Sequence, residues 1–334
     1  MRRWIILAVS VVVSVVFLVL ALRDVPIRDV IAGIQQADFG WVLLSMIGVV
    51  GTLATRAVRW RGLLDNRIPL IQAFHILNIT MLLNLLPLRA GELARSLLAT
   101  RSGVPVVTAA TSIVVERLID VVAVVLMIAL AVSRLPAISP VVTQAATFFG
   151  AAAVIAFVVL VSFARYPQIA HRVLEWLKAR IPLLARLNGR KRADEVLDGL
   201  RPLTHPRRAL HALVWTVIAW TTSLLTFYAL ERALQINNVD QFAGALLGVA
   251  LVSLSLAVPV SVASLGPFES AVRVAGDAVS MTALAGTTLG FLFHGISVLG
   301  YAIFGVIGLI ALGVSLSDVM SKPAPAPAET ESTR

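Results

Sequence analysis

Residues 72–95 read QAFHILNITMLLNLLPLRAGELAR. The run from Gln72 to Pro87 carries no formal charge, and Arg89, Gly91, Glu92 and Arg95 follow directly. A helix needs about 20 apolar residues to cross a bilayer, so this run is too short to span. It also lies between two arginine clusters, Arg56, Arg59, Arg61 and Arg67 before it and Arg89 and Arg95 after it. Arginine-rich loops favour the cytoplasmic side. A re-entrant segment that enters and leaves on one side satisfies both constraints. A second stretch behaves similarly: residues 258–269 read VPVSVASLGPFE in the middle of apolar sequence. Irregular backbone at membrane depth is tolerated only where it is buried in protein or lines a polar cavity. Both breaks are therefore expected to border such a cavity.

The rest of the chain agrees with a membrane protein. Of 334 residues, 58% are hydrophobic and 14% charged, against roughly 25% charged in soluble domains. That excludes an aqueous enzyme, a disordered chain and a coiled coil. The net charge of +10 is read as arginine-loaded cytoplasmic loops, not as a nucleic-acid surface. With no cysteine, disulfides, thiolate metal sites and thiol nucleophiles are excluded.

Apolar runs predict an all-α polytopic bundle with spans over residues 4–22, 40–58, 104–132, 141–164, 209–230 and 242–260. The last run, 284–316, is long enough for one tilted helix or a broken pair. This gives six or seven full spans plus the two re-entrant elements, in one membrane domain over 1–320. The first run lacks a small-x-small cleavage signature and is expected to stay as an anchor with a cytoplasmic N-terminus. Residues 165–208 carry eleven Lys/Arg against four Asp/Glu and form the expected cytoplasmic loop. Residues 321–334 are expected to be a disordered tail. The breaks resemble one another, Pro87…Gly91-Glu92 beside Pro259…Gly266…Glu269. Paired broken segments in two halves point to a central site and an inverted repeat; ordinary helix-end chemistry is the alternative.

Charged residues inside apolar sequence name the candidate site. Glu116 and Asp120 are four apart and share a helix face, with Arg117 adjacent. Such charges cost about 2.5–3.5 kcal/mol each on insertion scales, so they face the protein interior. Either they wall a cavity, or they are structural glue paired with Arg89 or Arg95. Glu92 and Arg95 are spaced to pair with each other, leaving Arg89 for a lipid phosphate; positive-inside anchoring by snorkelling arginines is the alternative. Glu269, Arg273 and Asp277 share a face, where Arg273 bridges the two acids or joins them in a charged wall. His294 and His75 read as hydrogen-bonded packing residues, and no histidine spacing supports a metal. The Gly244/Gly248 and Gly286/Gly290 pairs allow close helix packing.

Taken in order, Arg56-x-x-Arg59-Trp60, Asn84…Pro87-x-Arg89-x-Gly91-Glu92-x-x-Arg95, Glu116-Arg117-x-x-Asp120 and Pro259-x-Ser261…Gly266-x-x-Glu269 resemble the transmembrane-region family of lysylphosphatidylglycerol synthases, also called flippase-like. The resemblance implies a bacterial inner-membrane domain handling phospholipids, aminoacylated lipids or polyprenyl-linked lipids. The soluble aminoacyl-transfer domain of the two-part synthases is not expected here. Ala263-Ser264-Leu265-Gly266 also departs from the family's Gly-Gly-rich second break. The expectation is a lipid translocator without cofactor, metal or nucleic acid, acting on an anionic or polyprenyl-linked lipid. Its site would comprise Arg89, Glu92, Arg95, Glu116, Arg117, Asp120, Ser261, Gly266, Glu269 and Arg273. The alternatives are a component of a membrane-embedded head-group transferase and a scaffold for a separate transferase.

Overall fold

A computed structural model of the chain describes residues 2–86, 90–135, 197–200, 204–237, 239–256 and 263–315, with scattered positions between 144 and 176. The described residues are helical, without strands. The elements are α1 (Arg2–Ala21), α2 (Ile27–Gln35), α3 (Phe39–Leu63), α4 (Leu70–Leu83), α5 (Ala90–Ala99), α6 (Val106–Val132), α7 (Pro206–Ala233), α8 (Gln241–Ser255), α9 (Pro267–Ala278) and α10 (Ala283–Ala311). The helix starts follow from local chemistry. Asp38 caps α3 by accepting from the Gly40 and Trp41 amides at 2.8 and 3.2 Å. Asp240 caps α8 through the Ala243 amide at 3.0 Å, and Thr282 caps α10 through Ala285. Pro206 occupies the first turn of α7, where its missing N–H costs nothing.

Three helices are long and apolar enough to cross a membrane: α3, α7 and α10. The expected count of six or seven is not reached among the described residues. α6 has the length, 27 residues or about 40 Å, but Glu116, Arg117 and Asp120 interrupt its apolarity. α8 is the expected 242–260 span cut to 15 residues. The final apolar run forms one continuous helix, α10. The expected 141–164 span, most of the basic 165–208 segment and the 321–334 tail lie outside the described residues.

The helices pack as two sets of four. α3 lies antiparallel to α7: a side chain at Gly48, Gly51 or Gly62 would meet Thr226, Thr222 or His211. Thr52 donates to Thr222 across this seam at 3.2 Å. α4 folds back through a break onto α5, and α8 through a break onto α9. α5 leads into α6, and α9 into α10. The sets then exchange partners, with α4 packing on α10 and α8 on α6. Small residues allow these approaches, Gly305 and Gly308 receiving Leu82 and His75, and Gly286 and Gly290 receiving the backbone of Arg273 and Glu269.

The two broken hairpins enter from opposite ends. α4 starts just after Arg67, whose guanidinium binds Asp198 at 2.8 Å, and α6 starts beside the same Asp198 through Thr108. This is the arginine-rich end. α8 starts at Asp240, which accepts from Arg134 beyond the far end of α6 at 2.9 Å. α1 and α2 flank the second set, packing on α9 and α10.

Candidate functional site

The bends of the two hairpins touch. The Ala263 amide donates to the Leu85 carbonyl at 3.0 Å. Ala263 and Ser264 adopt left-handed backbone with φ of 51° and 61°, so this turn is strained and needs holding from outside. His294 of α10 supplies the hold. Its Nε2 lies 3.0 Å from the Ala263 carbonyl, and its Nδ1 lies 2.6 Å from Glu269 Oε1. The other Glu269 oxygen accepts from the Gly266 amide at 2.6 Å, and the His294 ring stacks on Phe268.

Between the first hairpin and α6 lies a buried ion network. Arg59 of α3 grips Asp120 with both terminal nitrogens, at 2.6 and 3.1 Å. The same guanidinium reaches Glu116 at 3.1 Å and Thr216 at 3.2 Å. Glu116 also accepts from Arg95 at 2.8 Å. Arg95 lies over the Trp60 ring at 4.1 Å, and Trp60 donates to Ser112. Arg59 and Arg95 are fully buried. At the outer edge Arg117 donates to Glu92, its Nε at 3.0 Å. Three guanidinium groups thus face three carboxylates, and the charges cancel within the protein, as burial requires.

A cavity of about 220 Å³ opens between this network and the touching bends. Asn84 and Leu85 of the first break, Ala263 and Ser264 of the second, and Arg117, Asp120 and His294 reach its wall. Arg56 of α3 lines it too, 5.4 Å over the Trp220 ring. Among the described residues Arg56 has no carboxylate partner. Its Nε, the Trp220 Nε1 and the Asn84 Oδ1 are buried without hydrogen bonds. The Arg56 side chain thus lines the cavity as a cation, while its Nε, the Trp220 N–H and the Asn84 carbonyl oxygen lie covered behind the cavity surface.

Several sequence expectations are corrected. Glu92 and Arg95 do not pair with each other. They project from α5 to different residues of α6, because Glu116 is buried and a partner for it outweighs a weak pair along one helix. Arg273 does not bridge Glu269 and Asp277. It donates to the Ala21 and Arg23 carbonyls at 3.0 and 2.6 Å, supplying donors to the unsatisfied carbonyls at the end of α1. Gly266 sits at φ 91° against the α1 backbone at Ser14 and Leu18, where a Cβ would collide. Of the candidate site residues, Arg117 and Asp120 reach the cavity; Glu92, Arg95 and Glu116 stand behind it in the network, and Gly266, Glu269 and Arg273 secure the second break and α1. Arg89 and Ser261 lie outside the described residues. Arg56 and Arg59, which mark sidedness and carry part of the family resemblance in the sequence, are additional site residues: both lie within α3, three apart. His294 is hydrogen-bonded and stacked on Phe268, as expected of a packing residue; its partner Glu269, 25 positions earlier, carries no local signal of the pairing. Among the described residues no cluster of ligating side chains suits a metal.

Apolar helices around a buried charged network and paired breaks define an all-helical membrane protein with an internal polar site. The chain belongs to the family described as the lysylphosphatidylglycerol synthase TM region, whose model matches residues 6–305. That family membership makes it a lipid-related membrane protein. No curated protein and no solved structure matches the chain.

Proposed function

We propose that the protein translocates a phospholipid, aminoacylated lipid or polyprenyl-linked lipid, with the phosphate of its head group bound in the cavity between the breaks. The observation that carries this reading is Arg56: a guanidinium on the cavity wall with no carboxylate partner among the described residues, beside the unused Trp220 N–H. Guanidinium forks suit phosphate oxygens, and the Arg56 side chain lines this cavity. The volume, about 220 Å³, is below the roughly 300–1,000 Å³ of drug-sized ligand pockets. It suits a head group whose chains stay in the bilayer. Arg89, which follows Pro87 in the sequence, belongs to the same reading as a second phosphate contact.

In this reading the two sets of four helices are an inverted repeat, related by exchange of α3 with α7, α4 with α8, α5 with α9 and α6 with α10. The hairpins are re-entrant from opposite faces, a plan that suits alternating access. α1, α6 and the 141–164 run complete a count of six or more crossings. The arginine-rich end, with the N-terminus, faces the cytoplasm of a bacterial inner membrane. A head-group transferase component or a scaffold for a separate transferase remains the second reading; it predicts an altered lipid only when the partner is present.

The test is translocation of acyl-labelled phosphatidylglycerol in vesicles of phosphatidylcholine and phosphatidylglycerol holding the purified protein alone. Wild-type protein should expose inner-leaflet label to an external quencher. Arg56→Lys, which keeps charge but loses the fork, should weaken lipid binding roughly ten- to a hundredfold. Vesicles with no translocation above empty controls would reject the reading. Wild-type behaviour of Arg56→Lys would remove Arg56 from the site.

A further inference from the structure

We propose that Glu269 and His294 together form a proton-binding site that governs the contact between the two breaks. The argument is a count of donors. The Ala263 carbonyl only accepts, so the Nε2 that lies 3.0 Å from it carries a proton. Nδ1 and Glu269 Oε1 are 2.6 Å apart, a distance at which two lone pairs repel, so a second proton lies between them. The pair therefore holds two protons. Imidazolium facing carboxylate and imidazole facing carboxylic acid differ only in where the second one sits.

Removing one proton leaves an arrangement the geometry does not accommodate. Either Nε2 loses its donor to Ala263, or Nδ1 and Oε1 face each other with lone pairs and must separate. The ring is stacked on Phe268, with centroids 4.4 Å apart and planes within 9°, so it cannot relax by tilting freely. Ala263 is also the residue whose amide meets Leu85. The proton is thus bound one peptide from the contact between the hairpins. A loaded pair clamps the strained turn against the first break, and an unloaded pair releases it.

The first hairpin carries the equivalent pair with different chemistry. Glu92 meets Arg117 and Glu269 meets His294, each 25 residues apart, each from a post-break helix to the helix that follows. Arginine does not give up its proton, so the first pair is fixed, whereas histidine does near neutral pH. Other ionisable groups on the cavity wall are Arg56 from α3, Arg117 and Asp120 from α6 and Tyr301 from α10. Arg273, one turn beyond Glu269 on α9, is directed to the end of α1. α7 and α8 present Trp220, Ser223, Val249 and Ser253 to the cavity. α1 brings Ser14, Phe17 and Leu18 to Gly266, and the first break brings Asn84 and Leu85, none of them ionisable.

The consequence for transport rests on the translocation reading, but the proton site does not. The experiment uses full-length protein in the same vesicles, labelled with ¹⁵N-histidine. Solid-state NMR follows the His294 ring, assigned by its loss in His294→Asn, and infrared difference spectra follow the Glu269 carboxyl. Across about pH 5 to about pH 9 the wild type should show one single-proton step on this pair. E269Q is the control: its amide oxygen accepts from Gly266 and its amide N–H donates to a neutral Nδ1, reproducing the loaded arrangement without a titrating acid. It should show no step. Translocation of labelled phosphatidylglycerol should change about tenfold over that range in wild type and less than about twofold in E269Q. A wild-type pair that does not titrate, or a step that survives in E269Q, overturns the proposal. If no lipid moves at any pH, the translocation reading fails while the spectra still decide the proton site.

Discussion

The amide of Ala263 donates to the carbonyl of Leu85 at 3.0 Å, joining two breaks 178 positions apart in the chain. Each break interrupts a helix that is too short to cross a bilayer: α4 has 14 residues and α8 has 15. Backbone groups freed at membrane depth need partners. Among the described residues the breaks supply one such bond to each other, and Asn84, Leu85, Ala263 and Ser264 line one cavity.

That contact is the place to test a lock. A disulfide needs Cα atoms about 4.4–6.8 Å apart, a requirement that bond formation here would itself report. Leu85→Cys with Ala263→Cys, in a chain without native cysteine, should form an intramolecular bond on oxidation. Translocation should stop when the bond forms and return on reduction. Continued transport in the oxidised protein would show that the breaks need not part.

The Arg59 network should dominate stability. Arg59→Ala strands Asp120 and Glu116 as buried charges, and breaking such pairs costs about 3–5 kcal/mol. Removing both sides with Arg59→Met and Asp120→Leu should recover much of that loss while leaving Glu116 with Arg95. Thermal unfolding in detergent distinguishes the two variants. Equal loss in both would mean that packing, not the uncompensated charge, sets the cost.

How far the sequence foretells this arrangement depends on whether a signal is local. The breaks are legible because Pro87, Gly91, Pro259 and Gly266 interrupt apolar runs. The buried acids are legible because Glu116 and Asp120 sit mid-run. Partner choice is not legible: Arg59 reaches Asp120 across 61 positions, and nothing in its own neighbourhood separates it from Arg61, which binds the Ile68 carbonyl nearby. The same limit hides Arg273 at the end of α1, 250 positions away. Span counting fails where helices are shortened to form hairpins, since apolarity persists while continuity does not.

At the end opposite the arginine-rich one, acid should weaken the start of α8. The Asp240 carboxylate is held below its usual range by the Ala243 amide first and the Arg134 guanidinium second. Its folded value is depressed, so its contribution is present above the unfolded value of about 3.9 and is lost as pH falls through the folded value. Asp240→Asn keeps a cap but loses the charge. It should flatten the acid limb of a stability curve and cost at most about 1 kcal/mol at neutral pH, because Arg134 is half exposed. An acid limb unchanged in Asp240→Asn would assign it to other carboxylates.

The sharpest steric test is Gly91, which begins the return helix of the first hairpin. Its backbone is ordinary helix, so an alanine there suffers no conformational penalty. The obstacle is space: a Cβ would fall 2.1 Å from the Thr80 carbonyl and 2.6 Å from Asn84 Oδ1. Backbone oxygen cannot swing aside as a side chain does, so α5 must move away from α4. That motion carries Glu92 from Arg117 and Arg95 from Glu116, since both contacts depend on how α5 lies against α6. Gly91→Ala should therefore cost more than the roughly 1–3 kcal/mol of simple overpacking. At Gly295, where a Cβ would meet nothing within 4 Å, the same substitution should be neutral or slightly stabilising, since helix propensity favours alanine by about 1 kcal/mol. Comparing the two melting temperatures separates the steric term from the propensity term. Similar values for both variants would show that the close crossing of α4 and α5 is not required for the fold.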